Sequence, residues 1–498
     1  MTEAPLTADE YRELLSAALE EAAYADTRRP TAHSLFMPDS HRTALYVDTT
    51  VVPGGRGVGK TFWYRSLLDD GLRELAAAEY RIRRLNRLRV HRGYGFDWIS
   101  ECYPGPGDLN GMIASGEQPY DIWYTVLLVA LGHEELRALT EWPEKVAWVR
   151  AHPGPAQRTV ERADRQAYDE NIVHLLLFDA LEHLHHDRRQ ADRLVGGILR
   201  LALQMRFGTR NIRLKVFVRP DMFDAARLHF PDASKLSGYA ARLEWSRTDL
   251  YGLLFHFLGN EDGDGDSHLA GLAYRFRRMT GGWEPHAGGT RHVPPALLRN
   301  DEPTQSLLFE QIADPFMGAD FRKGKPYTWL PNHLMDGNGR ISPRSFLKAL
   351  RRAAEVTRTS CPDHGWALHQ EAIRKGVQEA SLGRVAEVSE DTPWVELAIK
   401  PLAGYQVPIA EPTVLGVWKD MDLSAALARD SAQYAQADRP ELVRTGPRHP
   451  DDLPRLITEL RELGVMTERR SDGRLDLPDV YRIAFGLGRK GGIPKPAP

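Results

Sequence analysis

The stretch "TTVVPGGRGVGKTFWYRSLL", Thr49 to Leu68, decides how the chain is read. Gly54-Gly55-Arg56-Gly57-Val58-Gly59-Lys60-Thr61 fits the phosphate-loop pattern G-x-x-x-x-G-K-[ST] throughout. Glycines let backbone N–H groups curl around a β-phosphate, and a helix opening near Lys60 adds the positive end of its dipole. Lys60 is expected to reach the β- and γ-phosphates, and the Thr61 hydroxyl to ligate Mg²⁺. Upstream, "TALYVDTTVV" is rich in β-branched residues and reads as a buried strand running into the loop. Downstream, from Thr61, the pattern turns helical through "FWYRSLLDDGLRELAAAEY". Strand, glycine loop and helix are the context in which the motif binds a nucleotide.

A phosphate loop needs a carboxylate at the end of a neighbouring strand. "IVHLLLFDALEHL" offers apolar residues up to Phe178 and then Asp179, placed to hold Mg²⁺ at a strand's C-terminal edge. Glu182 follows and is the candidate to orient or activate an attacking water, or else a solvated carboxylate at a helix start. Glu170 and Asp169 are the alternative bases. Arg219 closes the strand in "KVFVRPD" and is either a γ-phosphate sensor or a strand-end ion-pair partner. In "SPRSFLKAL", Ser342 reads as a helix cap, Pro343 as the first helical residue and Arg344 as part of the first turn. An arginine is electrostatically disfavoured at a helix N-terminus. That conflict makes Arg344 a candidate to reach the γ-phosphate from a lid.

Strand, helix, strand, helix, strand, with near-continuous apolar strands, predicts an α/β fold with a parallel sheet covered on both faces. A capping box at Thr7 and Glu10 predicts a helix over 8–24. "YDIWYTVLLVALG" predicts another, ending at Gly132, and "AHPGPAQRTVERADRQAYDEN" reads as a polar connection. After the apolar run at 172–178, a helix is expected through Met205. The chain divides into an N-terminal helical segment (1–42), a P-loop core (43–258), a helical lid with insertions (259–433), a linker (434–450) and a C-terminal unit (451–498).

Composition bounds the function. The chain has 498 residues, 42% of them hydrophobic and 27% charged, with a net charge of -3. No apolar run approaches the roughly 20 residues that span a bilayer. The acidic, amphipathic start lacks the basic and apolar regions of a signal peptide. Two cysteines, Cys102 and Cys361, lie far apart, so no disulfide framework is expected. These features predict a cytoplasmic protein without a membrane partner. Near-neutral charge argues against a surface coated with basic residues for nucleic acid.

"GGRGVGKT", "LLLFDALEHL", "VFVRPD" and "SPRSFL", in that order, resemble the P-loop ATPases of the AAA+/STAND type, especially bacterial KAP-like and related conflict-system ATPases. The resemblance implies ATP and Mg²⁺ as cofactors and a nucleotide-controlled switch built from an ATPase core, a helical lid and a C-terminal winged helix. It also implies a homo-oligomer or a partner effector, and a setting in defence against phage or mobile DNA. The choice of ATP over GTP rests on the resemblance, together with the lack of an N-K-x-D motif near the core. Ala180 stands where the commoner pattern has a second acid, which bears on hydrolysis more than on binding.

The C-terminus reads as a winged helix: an amphipathic helix in "DLPRLITELRELGVM", two short strands joined at Asp472-Gly473, then a helix in "DVYRIAFGLGRKGG". It offers Arg469, Arg470, Arg474, Arg489 and Lys490 to duplex DNA. From Asp451 onward, however, nine basic residues face eight acidic ones, and the unit equally suits a protein-binding role. "YRIRRLNRLRVHR", Tyr80 to Arg92, reads as a solvated helix or edge strand, with a nucleic-acid channel as the alternative. "DGDGDSH" and "LMDGNGRISPRS" lack the residues an EF-hand loop requires. His183, His185 and His186 do not share a helical face as zinc ligands would.

Overall fold

Four parallel strands form the central sheet of the computed structural model, which describes residues 5–20, 29–262, 265–286, 291–435, 443–490 and 493. They are β1 (Val51–Pro53), β2 (Leu88–Tyr94), β3 (Val173–Phe178) and β4 (Ile212–Val218), in the lateral order β1-β4-β3-β2. Val51 pairs with Val216 and Pro53 with Val218, while Phe178 also pairs with Val216. β4 therefore lies between β1 and β3, and the chain leaves all three strands side by side at one edge. Every residue of β3 is buried, as a strand covered on both faces requires. The α/β fold with a parallel sheet is what the apolar strand pattern predicts.

Several elements differ from the sequence reading. The strand expected over 43–52 is mostly turn: a 3₁₀ segment runs over Asp39–Leu45 and only Val51–Pro53 is extended. The cause is Lys215 in β4. Its buried ammonium donates to the carbonyls of Ala44 (2.7 Å), Tyr46 (3.0 Å) and Thr49 (2.8 Å), which curls that segment around one cation. In Lys215→Met the three carbonyls lose their shared donor, and at about 1 kcal/mol or more each the loss is expected to be roughly 3 kcal/mol. Denaturant unfolding measures it, and a midpoint equal to wild type refutes this account.

Asp69 splits the long helix expected after Thr61. Its side chain caps a second helix, accepting from Leu72 N at 2.9 Å, so the helices are Lys60–Leu68 and Asp70–Glu79. The connection expected at 151–171 is instead a helix, Pro153–Asp169. Ala156, Val160, Ala163 and Ala167 form one buried stripe at helical spacing, and its prolines occupy the first turn, where they are tolerated. The N-terminal helix is Ala8–Ala18 with its capping box intact, and 21–24 of the expected span lie outside the described residues. The Tyr80–Arg92 stretch forms a 3₁₀ turn and the edge strand β2, where Arg89 pairs with Glu170 at 3.0 Å and Arg87 donates to Asn171 at 3.0 Å.

Helices Pro343–Ser360 and Gln370–Asp391 pack so tightly that a Cβ on Gly376 would lie 2.2 Å from the Ala349 carbonyl oxygen. The C-terminal unit has the helix Leu453–Glu462 and a hairpin of Thr467–Glu468 with Leu475–Asp476, turned at Gly473 with φ +66°. Its last helix is only Asp479–Arg482, because the chain then turns at Gly486 and pairs with Gln406 through Gly488. One hydrophobic cluster joins Trp394, Ile399 and Trp418 to Leu456, Leu475 and Tyr481, from both sides of the 434–450 segment. Among the described residues, no helix is long and apolar enough to cross a membrane.

Candidate functional site

Gly57 (φ +72°) and Gly59 (φ +99°) take left-handed conformations that a side chain would strain, and Gly59 opens the helix that begins at Lys60. The loop so formed runs through Gly54, Gly55, Arg56, Gly57, Val58, Gly59, Lys60 and Thr61. Lys60 is buried, and its ammonium donates back to the carbonyls of Gly54 (3.1 Å) and Gly55 (3.0 Å). Burial pulls its pKa down, opposed by the charges of Glu182 and Asp179.

Asp179 follows β3 and stands across the sheet edge from this loop. It is 1% exposed, and neither carboxylate oxygen meets a donor in full hydrogen-bond geometry among the described residues, although the Thr61 hydroxyl and the Ala180 amide lie near enough to act on it. Burial and the Glu182 charge push its pKa up to about 6, against the Thr61 hydroxyl and Lys60. A buried carboxylate short of donors is costly unless a cation completes it. Asp179 and the Thr61 hydroxyl therefore suit a hard divalent cation such as Mg²⁺, which takes one or two protein oxygens.

Glu182 does not begin a helix as expected. Ala180 adopts φ +57°, and Glu182 sits on a single 3₁₀ turn, Leu181–His183, while the helix starts only at Arg188 under the Asp187 cap. Burial alone would raise the Glu182 pKa, but Lys60, His183 and Arg219 overcome it and keep the carboxylate ionised. Glu170 ends the helix that precedes β3, with Asp169 beside it, and Glu170 pairs with Arg89. Both lie at the opposite edge of the sheet, which removes them as bases.

Arg219 closes β4 between the two sites. It holds Asp221 with two bonds, of 3.0 and 3.1 Å, and Asp221 also accepts from Arg188 at 2.8 Å. It is thus an ion-pair partner that also bears on Lys60 and Glu182. Arg344 stands in the first turn of its helix, as expected, and donates to Glu387 at 2.7 Å. The helix start touches the phosphate loop directly, since a Cβ on Gly57 would lie 2.7 Å from Ser342 Oγ.

Sequence reasoning missed three residues here. Arg384 donates to the Arg56 carbonyl at 3.1 Å, Arg340 packs beside Gly55, and Asp391 forms an ion pair with Arg56. Arg384 and Asp391 come from one long helix without motif character, so only packing could reveal them. Arg56, Arg219, Arg340 and Arg384 line the same cleft beside Gly55, together with Asp221, Asp336 and Glu462, so its charge is largely paired.

His183, His185 and His186 form no common site. His183 Nδ1 donates to Val443 O at 3.1 Å, while His185 and His186 stack on each other. Among the described residues, two groups have ligand atoms close enough for a metal ion: Glu182 with His183 and Asp391, and Asp314 with His364 and His369. In the second, Asp314 already accepts from His364 and Gln370, and His369 Nδ1 from the Glu371 amide.

No protein-family model matches the chain, and no curated protein does at a significant level. Among solved structures, the chain is similar to the Aeropyrum pernix ORC2 protein in its ADPNP-ADP complexes, at 14% identity over 93% of this chain and 89% of that one, with a TM-score of 0.36. The ADP form of the same protein matches at 14% identity over 88% and 85%, with a TM-score of 0.29.

Proposed function

We propose that this chain is an ATP-binding and ATP-hydrolysing regulatory switch. The observation that carries the reading is the pairing of a complete phosphate loop with a buried aspartate whose carboxylate is not fully hydrogen-bonded, across one parallel-sheet edge. The loop amides and Lys60 would hold the phosphates, and Asp179 with Thr61 would hold Mg²⁺, which supplies charge neutralisation between the β- and γ-phosphates. Glu182, kept ionised, would orient the attacking water. Arg219, Arg344 and the cleft arginines would counter the charge that develops on the transferred group.

Regulation of a separate effector, in an oligomer or with a partner protein, is favoured because the chain carries no second catalytic motif. The setting in defence against phage or mobile DNA rests on the family resemblance alone. The alternative, direct action on duplex DNA through a C-terminal winged helix, loses part of its support at the side chains it would use. Arg489 is held by Asp476 (2.6 Å) and the Leu477 carbonyl, while Arg469 and Arg474 stay exposed and have their charge only partly offset by Asp472 at 3.8 Å.

ATP turnover of the full chain, with and without duplex DNA, tests both readings. Slow turnover indifferent to DNA is expected, falling about 100-fold or more in Glu182→Gln with nucleotide affinity retained. Stimulation by DNA would favour the alternative, and turnover unchanged in Glu182→Gln would remove that residue from the chemistry.

A further inference from the structure

The 3₁₀ turn that carries Glu182 is held from a distant part of the chain. Ala180 stands in the left-handed region, which costs a residue with a Cβ about 1 kcal/mol or more and persists only where the surroundings over-determine it. Part of those surroundings is the core, where Leu181 and Leu184 are buried and the Tyr94 hydroxyl donates to the His183 carbonyl at 3.2 Å, and part is Val443–His449, in the segment before the helix Leu453–Glu462. Thr445 Oγ donates to the Glu182 carbonyl at 2.7 Å. His183 Nδ1 donates to Val443 O at 3.1 Å, and Gly446 N to His186 O at 3.4 Å. Three bonds thus bind one short segment along the turn, residue by residue.

The same segment is anchored at both ends. Thr445 N donates to the carbonyl of Asp391, whose carboxylate pairs with Arg56 of the phosphate loop. Arg448 reaches Asp192 (3.0 Å), the Asp221 carbonyl (2.8 Å) and Glu462 (2.7 Å), and Glu459 receives its backbone N–H and that of His449. Phosphate loop, Glu182 turn and C-terminal helix are therefore connected through seven residues. The bonds from this segment reach the backbone of the turn and the His183 ring rather than the Glu182 carboxylate.

We propose that Thr445 is a positioning residue for Glu182, and that Val443–His449 acts as a strap coupling the orientation of this acid to the seating of the C-terminal unit. The inference rests on the role given to Glu182 above. With the strap docked, the carboxylate faces the phosphate loop. When the C-terminal unit moves, Thr445 withdraws, the strained turn relaxes and hydrolysis stops while nucleotide stays bound. A misplacement of about 1 Å at a reacting group is worth up to roughly 100-fold in rate.

The test compares Thr445→Val, which keeps the shape and removes the donor, with Thr445→Ser, which restores the donor. Thr445→Val is expected to lower kcat about 10-fold with KM and the affinity for a fluorescent ATP analogue within about 2-fold, and to speed amide hydrogen exchange in Leu181–His186 about 10-fold. Thr445→Ser is expected to recover both. Wild-type kcat and exchange in Thr445→Val would overturn the proposal, as would equal loss in both variants. A wild-type chain without turnover would sink the ATPase reading instead, and the exchange measurement would still report on the strap.

Discussion

Lys60→Ala is expected to weaken nucleotide binding about 100-fold in a chain that still folds. In the ligand-free chain Lys60 donates only to the carbonyls of its own loop, Gly54 and Gly55. Those carbonyls lie at the loop itself, where a bound phosphate can take over the ammonium without repacking the sheet. A buried charge-assisted contact to phosphate, once truncated, typically costs about 3 kcal/mol or more, which is roughly 100-fold in Kd. The cleanest measurement is ligand-induced stabilisation. At a nucleotide concentration near 100 times Kd, the wild type gains about 2.7 kcal/mol, and Lys60→Ala at the same concentration gains almost nothing. The ligand-free midpoint falls too, because the Gly54 and Gly55 carbonyls lose a donor, so binding is read from the ligand-induced shift above each variant's own baseline. A normal shift in the variant would refute the central claim.

The phosphate loop and Asp179 were legible because each is fixed by local rules. Glycines mark the loop, and an apolar run ending in an acid marks a strand edge. What stayed hidden depends on contacts between distant segments. Lys215 sits in a strand that reads as apolar, yet its ammonium turns Ala44–Thr49 away from the strand that β-branched residues predicted. Glu182 could be singled out, but its turn could not, because Thr445 holds it from the far end of the chain. The helix Pro153–Asp169 was missed for a different reason. Its buried stripe is built from alanine and valine, too small to stand out among charged neighbours. Arg384 and Asp391 share a helix whose faces carry no contrast in polarity, so no pattern in the sequence separates the residues that meet the phosphate loop from the rest.

Acid is expected to unfold this protein between about pH 6.5 and 5, because three buried histidines are held neutral by partners that can only donate. His256 donates from Nε2 to the His33 carbonyl at 3.0 Å and accepts at Nδ1 from the Asn260 amide at 3.2 Å, so a second ring proton would face an N–H. His41 Nδ1 accepts from the Trp63 indole at 3.0 Å, and His185 Nδ1 from the Asp187 amide at 2.9 Å. Burial lowers their pKa values to about 3 for His256 and His41 and about 4 for His185. Below pH 6.5 the unfolded chain binds these protons and the folded chain does not, so stability is present above that pH and is lost as pH falls. Each such group contributes a slope of about 1.4 kcal/mol per pH unit. Asp179, raised to about 6, works the other way by taking up a proton in the folded state. Among these four groups, three protons against one contribute a slope of about 3 kcal/mol per pH unit, large beside the 5–15 kcal/mol typical of a folded domain. Denaturant midpoints at pH 7.5, 6.5 and 5.5 measure it. His256→Gln keeps one donor and one acceptor in the same places without a proton to gain, and should flatten the slope by about one half. Midpoints independent of pH over that range would show that these rings accept their second proton without cost.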